Sequence, residues 1–508
     1  MSAFSQLLGK YIREKDIQVF DLVNYCCIDR STMYKMINGK RNPPSEDVFE
    51  KIAEFLCLSP QEYRQFKDAY QITVLGEEIY FRRKSVTEFL LNFPDCFSIA
   101  SPSQVTTDDS RVQPQNIDLC QALTSQIKLN YVISKVLQSE AEKEHGTIAL
   151  LLQPDFEFIF SYLASLSISS DLKISHIVCL NNTSFLTPKK KSYRLEYLKN
   201  IFPLYLRDID YHVHYYYDSV HSHFFNMNMF PCLILTSDYA ISFSSDCQNG
   251  ILYHESSVIA QFWNLFEHYQ EKCPRLFDLF RVTPQDLNVL NDIVITASPC
   301  YVLQPESCFT PFITEKIASD ALLPQIPERP RILAMVNAFF QNTSNVITEQ
   351  DMHVYFTEEG IRHFMKTGIL REIPQDFSRP FTPTERLEML KGMLEGCKKG
   401  HYQLLKKPLT RLPVNLHICI NHQMGYLSFE NAAGQTMYLI LRESGFISTF
   451  LDYMESLQKD YLCSVKETTK IVKELVQEFS LSEKFKCSKY KQGRAAFARP
   501  VIFMTEPR

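Results

Sequence analysis

Between Asp29 and Pro44 the chain has room for one short helix and no more. Asp29 is placed to cap a helix beginning at Arg30. Asn38-Gly39 suits a left-handed turn at its end. In Lys40-Arg41-Asn42-Pro43-Pro44 neither proline has an amide to donate, and both disfavour helical geometry before them. The spacing therefore predicts a helix from Arg30 to Ile37 and sets the scale of its surroundings. Upstream, Phe4, Leu8, Tyr11 and Ile12 recur at helical spacing, as do Val19, Leu22, Val23 and Cys26, which predicts two short amphipathic helices. Downstream, Ser45 opens a fourth helix with Val48, Ile52, Phe55 and Leu56 inside. Ser59-Pro60-Gln61-Glu62 is a capping box that starts a fifth through Tyr63 and Phe66.

This order of features resembles the Cro/cI (XRE) helix-turn-helix family. The resemblance rests on Gln18 opening helix two, on the run Asp29-Arg30-Ser31-Thr32-Met33-Tyr34-Lys35-Met36-Ile37-Asn38-Gly39-Lys40-Arg41-Asn42-Pro43, and on Leu58-Ser59-Pro60 after helix four. One departure is Cys27, where family members often carry glycine in the turn. The resemblance implies a regulator that binds double-stranded DNA, usually as a homodimer on two half-sites. It places Arg30, Ser31, Thr32 and Lys35 where the family reads base edges in the major groove. It places Gln18, Asn38, Lys40 and Arg41 at phosphate-contacting positions. Residues 1–72 hold ten basic and ten acidic side chains, so bulk charge does not separate DNA binding from a protein-docking bundle. The grouping of Arg30, Lys35, Lys40 and Arg41 on and just after the third helix favours DNA.

The whole chain has 508 residues, enough for about three domains. Its 45% hydrophobic content supports ordered cores, and a net charge of -5 excludes a uniformly basic nucleic-acid coat. Fifteen cysteines without a CxxC read as reduced thiols. No apolar stretch approaches the ~20 residues that span a bilayer, and no signal region opens the chain. The expectation is a cytoplasmic protein without membrane contact.

Composition and periodicity divide the chain into a helix-turn-helix domain at 1–72, a linker at 73–116, a first α/β lobe at 117–278, a connector at 279–335, a second α/β lobe at 336–482 and a basic tail at 483–508. In the first lobe, helical patterns at Leu119–Ser139, Phe156–Leu166 and Tyr193–Leu206 alternate with apolar runs at Thr147–Leu152 and His176–Leu180. A similar order returns in the second. Tyr211–Tyr215 compares with Val414–Ile418, and Phe262–Phe266 with Phe450–Met454, which points to a pseudo-repeat. The helix, strand, hairpin, helix order resembles half of a phospholipase D-like domain, a fold that some regulators use as a non-catalytic sensor. That family's half-site needs His-x-Lys, and neither His221-Ser222-His223 nor His422-Gln423-Met424 supplies the lysine.

Several constellations remain. His212, His214, His221 and His223 form the densest group of potential metal ligands, against the plainer reading of polar histidines on a half-exposed strand and loop; the reading is no metal. Lys189-Lys190-Lys191 and the tail from Lys484 offer phosphate contacts or solvated surface. Cys26-Cys27 reads as packing. A helix from Ser464 to Phe479, with Val465, Thr469, Val472 and Val476 on one side, offers a dimer interface. No glycine-rich phosphate loop, nucleophile elbow or zinc helix occurs, so neither cofactor nor catalytic residues are expected. The resulting expectation is a transcriptional regulator whose lobes sense a small-molecule or peptide effector and oligomerise. The alternatives are a phosphodiesterase or nuclease targeted by the helix-turn-helix, or a regulator whose lobes recruit protein partners.

Overall fold

The computed structural model describes residues 1–93, 119–166, 171–182, 186–187, 190–207, 209–226, 228–281, 299–349, 352–373, 375–431, 434–457 and 461–496. The chain forms two units: Met1–Val86 with Ser184–Leu195, and Thr87–Thr183 with Glu196–Arg508.

The first unit is helical: α1 (Ala3–Glu14), α2 (Val19–Cys26), α3 (Arg30–Ile37), α4 (Glu46–Phe55), α5 (Pro60–Leu75) and the start of α6 (Glu77–Leu91). Side-chain caps begin α1, α3, α4 and α5 at Ser2, Asp29, Ser45 and Ser59, and the Ser59–Glu62 capping box is closed in both directions. One apolar core joins α1 to α5, with Phe4, Leu8, Leu22, Met33, Met36, Phe49, Ile52 and Phe66 fully buried. Phe4, Phe49 and Phe66 stack there with ring centroids 4.9 and 5.2 Å apart.

The second unit holds two seven-stranded mixed sheets. The first is built from β1 (Cys120–Leu123), α7 (Gln126–Ala141), β2 (Thr147–Leu151), α8 (Glu157–Ser165), β3 (Lys173–Leu180), α9 (Tyr193–Tyr205), β4 (Asp210–Tyr217), β5 (Cys232–Leu235), β6 (Ala240–Phe243), β7 (Gly250–Tyr253) and α10 (Ser256–Gln270). The second runs β8 (Phe277–Arg281), β9 (Cys300–Leu303), α11 (Glu315–Ala321), α12 (Arg329–Glu349), β10 (Met352–Phe356), α13 (Glu358–Thr367), α14 (Pro383–Lys399), β11 (Tyr402–Leu404), β12 (His417–Ile420), β13 (Gly425–Glu430), β14 (Thr436–Leu441), α15 (Ser444–Ser456) and α16 (Val465–Ala496).

Both sheets have one topology. The first reads β4-β3-β2-β5-β6-β7-β1 and the second β11-β10-β9-β12-β13-β14-β8. In each, the first two pairings are parallel and the other four antiparallel. The pseudo-repeat is therefore present, with one correction of alignment. The counterpart of Tyr211–Tyr215 on β4 is the short β11, whereas Val414–Ile418 leads into β12, the counterpart of β5. Phe262–Phe266 and Phe450–Met454 do correspond, because α10 and α15 each follow the last strand of their sheet.

Three other expectations change. The segment 279–335, read as a connector, contributes most of β8 and all of β9 to the second sheet. Cys120–Leu123, read as the start of a helix, is a strand paired with β7. The stripe on α16 is largely covered: Val472 is buried with Leu475 in the second lobe's core and Val476 and Phe479 pack against it, while Val465 at its start is exposed, so most of that face is not available to a second copy. Of the segment 73–116, read as a linker, the described part is helical, ending α5 and forming α6; its remainder from residue 94 and the tail's side chains lie outside the described residues. Among the described residues no helix is long and apolar enough to cross a membrane.

Candidate nucleic-acid interface

The helices α2 and α3 end in the same way. At the end of α3, Gly39 N–H donates to Met36 O at 3.0 Å and Lys40 N–H to Lys35 O at 2.8 Å, a Schellman closure with Gly39 at φ +70°. A β-carbon on Gly39 would lie 2.9 Å from Ser5 Oγ, so glycine is required there for space as well as for backbone angle. At the end of α2, Cys27 N–H donates to Asn24 O at 3.2 Å and Ile28 N–H to Val23 O at 3.3 Å. Here the left-handed residue is Cys27, at φ 54° and ψ 42°, the position where the resemblance leads one to expect glycine.

Asp29 then begins α3. Its carboxylate accepts the Thr32 N–H at 2.8 Å and the Thr32 hydroxyl at 2.5 Å. Those bonds, led by the Thr32 hydroxyl, hold the Asp29 carboxyl below its ordinary range. Arg41 Nη1 in turn donates to Thr32 Oγ1 at 3.2 Å. Thr32 is thus a buried link between the cap and the basic segment after α3, on the same inward side as Met33 and Met36. It is not on the outward surface, and its expected place among the base-reading residues is corrected accordingly: position three of the helix turns toward the core.

The outward face of α3 carries Arg30, Ser31, Tyr34 and Lys35, all exposed. Tyr34, one turn beyond Arg30, was missed by family matching, though the i, i+4 spacing placed it there; the Arg30 guanidinium lies 5.6 Å from its ring centroid. Asn38, Lys40 and Arg41 are exposed at the far end of the helix, and Gln18 is exposed before α2, where its side chain makes no cap hydrogen bond. Among the described residues Arg30, Lys35, Lys40 and Arg41 make no ion pair. The face therefore offers four cations to an anionic partner.

The histidine group does not assemble. His212 and His214 share a face of β4, but His212 Nε2 pairs with Asp210 Oδ1 at 2.8 Å, and His214 Nδ1 lies 3.4 Å from Gln270 Nε2. His221 is exposed on a π-helical turn, and His223 packs against the rings of Tyr216 and Phe224. Among the described residues no three His, Cys, Asp or Glu side chains come together as a metal site. In the lysine run, Lys190 pairs with Glu77 of α6 at 2.6 Å and covers the Phe81 ring; Lys189 lies outside the described residues. Cys26 is buried in the helical core, as expected of a packing residue.

No family model matches the chain, and no curated protein matches it. Among solved structures it is similar to TrmBL2, an archaeal chromatin protein whose structure shows a novel mode of DNA binding. The two are 10% identical, with a TM-score of 0.20, over 53% of this chain and 99% of that one. A likeness that low carries no argument about this chain.

Proposed function

We propose that the chain is a sequence-specific DNA-binding transcriptional regulator, in which α2 and α3 act as a Cro/cI-like helix-turn-helix and the two α/β lobes sense an effector and oligomerise. The observation that carries this reading is the outward face of α3. Arg30, Ser31 and Lys35 stand exposed on a capped helix, and Lys40 and Arg41 follow it. In the major groove an arginine at the first turn can pair bidentately with guanine, while cations at the end of the helix set the register on phosphates. The lobes are assigned no catalysis, because the histidines at 221, 223 and 422 lack the lysine that a phosphodiester-cleaving half-site requires. Turnover of phosphodiester substrates by the wild type, lost in the His221→Ala and His223→Ala variants, would reverse that assignment.

The test is a selection of bound sequences from random duplex DNA, followed by gel shifts. Arg30→Ala is expected to cost about 1–3 kcal/mol on the selected site and to relax the preference at one base pair. Lys40→Ala is expected to weaken all sequences alike and to lower the salt dependence by about one counterion. Unchanged discrimination in Arg30→Ala would remove the base-reading role. The selected site is expected to be an inverted repeat bound by a dimer, and light scattering of a monomer both alone and on that site would sink the dimer.

A further inference from the structure

The second lobe contains a pocket that DNA binding does not use. It lies between the face of the sheet formed by β9 and β12 to β14 and the helices α11 and α12, and it encloses a cavity of about 100 Å3. Phe339, Phe340, Phe377 and Phe381 form much of its wall, and the described residues that line it include no lysine or arginine. One carboxyl and one imidazole, Glu372 and His417, face the space.

The Thr310 hydroxyl donates to Glu372 Oε1 at 2.6 Å. Glu372 Oε2 lies 4.0 Å from His417 Nδ1, beyond hydrogen-bond reach. Although His417 is only 8% exposed, its Nδ1 has no hydrogen-bond partner among the described residues. Burial keeps this imidazole neutral. With its proton on Nε2, facing the Tyr426 hydroxyl 3.4 Å away, Nδ1 is left as an acceptor. The Glu372 carboxyl also accepts from the Thr310 and Phe309 N–H groups and from the Gln304 side chain, but no cation lines the described pocket wall, and the His417 Nδ1 beside it has no donor, which is costly in an apolar pocket unless a ligand supplies one.

We propose that this pocket binds a lipophilic primary amine, whose ammonium group donates to Glu372 Oε2 and His417 Nδ1 while the aromatic wall encloses its apolar body. An ammonium has three donors and no acceptor, and a nitrogen about 2.8 Å from each atom spans their separation. A neutral alcohol supplies a donor to His417 Nδ1 but no positive charge to the carboxyl. An organic anion meets an acidic side chain and no cation. The assignment deepens the sensor reading by naming the chemistry of its effector, yet the binding itself needs no DNA.

The test is calorimetric titration of the full chain, free of DNA, with 4-phenylbutylamine, 4-phenylbutan-1-ol and 4-phenylbutanoate, which differ in the head group alone. The amine is expected to bind about tenfold tighter than the alcohol or better, and the butanoate to show no saturable binding. Glu372→Gln is expected to bring the amine to the affinity of the alcohol, with alcohol binding retained as evidence of an intact pocket. An alcohol or butanoate that matches the amine in the wild type, or no binding by any of the three, overturns the proposal, and this ranking stands even where the variant fails to fold. Gel shifts on the same preparations separate the two readings: DNA binding without amine binding leaves the regulator standing, and amine binding without DNA binding leaves the pocket.

Discussion

Cys27 is the residue at which sequence and backbone disagree most openly. The left-handed conformation costs a residue with a β-carbon about 1 kcal/mol, and glycine returns part of that gain through its more flexible unfolded chain. The Cys27 thiol contributes little in compensation, since it lies 3.6 and 3.9 Å from the carbonyls of Asn24 and Tyr25 and is exposed. Cys27→Gly is therefore expected to stabilise the end of α2 by about 0.5 kcal/mol, read as slower hydrogen exchange of the α2 amides. Faster exchange would show that the thiol contacts outweigh the strain. The sequence flagged this position and placed Arg30 and Lys35 on α3, where both are exposed. It misplaced Thr32, because family matching ignored which side of an eight-residue helix faces the core.

Among the elements, α3 depends on its first residue's neighbour. Removing the Asp29 carboxylate takes away the cap and leaves the buried Thr32 hydroxyl, which also holds Arg41, without its acceptor. Asp29→Ala is expected to cost α3 about 1–2 kcal/mol, seen as faster exchange of the α3 amides and weaker DNA binding, whereas Asp29→Asn keeps an acceptor and recovers most of both. Equal exchange in the wild type and Asp29→Ala would show that core packing alone holds α3. The short helices were legible because caps and prolines are local signals. The strands β8, β9 and β11 were not, since each is recognised only through pairing with distant chain. The Glu372 and His417 pair was illegible for the same reason: residues far apart in sequence meet only after the sheet and its helices close the pocket.

At the scale of the molecule, the two lobes carry buried groups that answer pH in opposite directions. In the first lobe His176 is fully buried; its Nε2–H donates to Leu152 O at 2.9 Å and its Nδ1 accepts from the Tyr211 hydroxyl at 2.8 Å. Burial, foremost, lowers its pKa from 6.5 to about 4, so its contribution is complete above 6.5 and is lost as pH falls through 4. In the second lobe burial raises the Glu372 carboxyl from 4.5 to about 7, so its contribution is complete below 4.5 and is lost as pH rises through 7. Between pH 4.5 and 6.5 the two oppose each other, each at up to about 1.4 kcal/mol per pH unit. Relative to the wild type, His176→Gln is expected to tilt the stability of this unit downward with rising pH across that window, and Glu372→Gln to tilt it upward. Urea unfolding followed by Trp263 fluorescence at several pH values measures both. Tilts of the same sign would show that the two groups do not titrate as their burial requires. An amine bound in the pocket holds Glu372 ionised, so its stabilising effect should grow as pH rises toward 7, which ties the state of the lobe to its ligand.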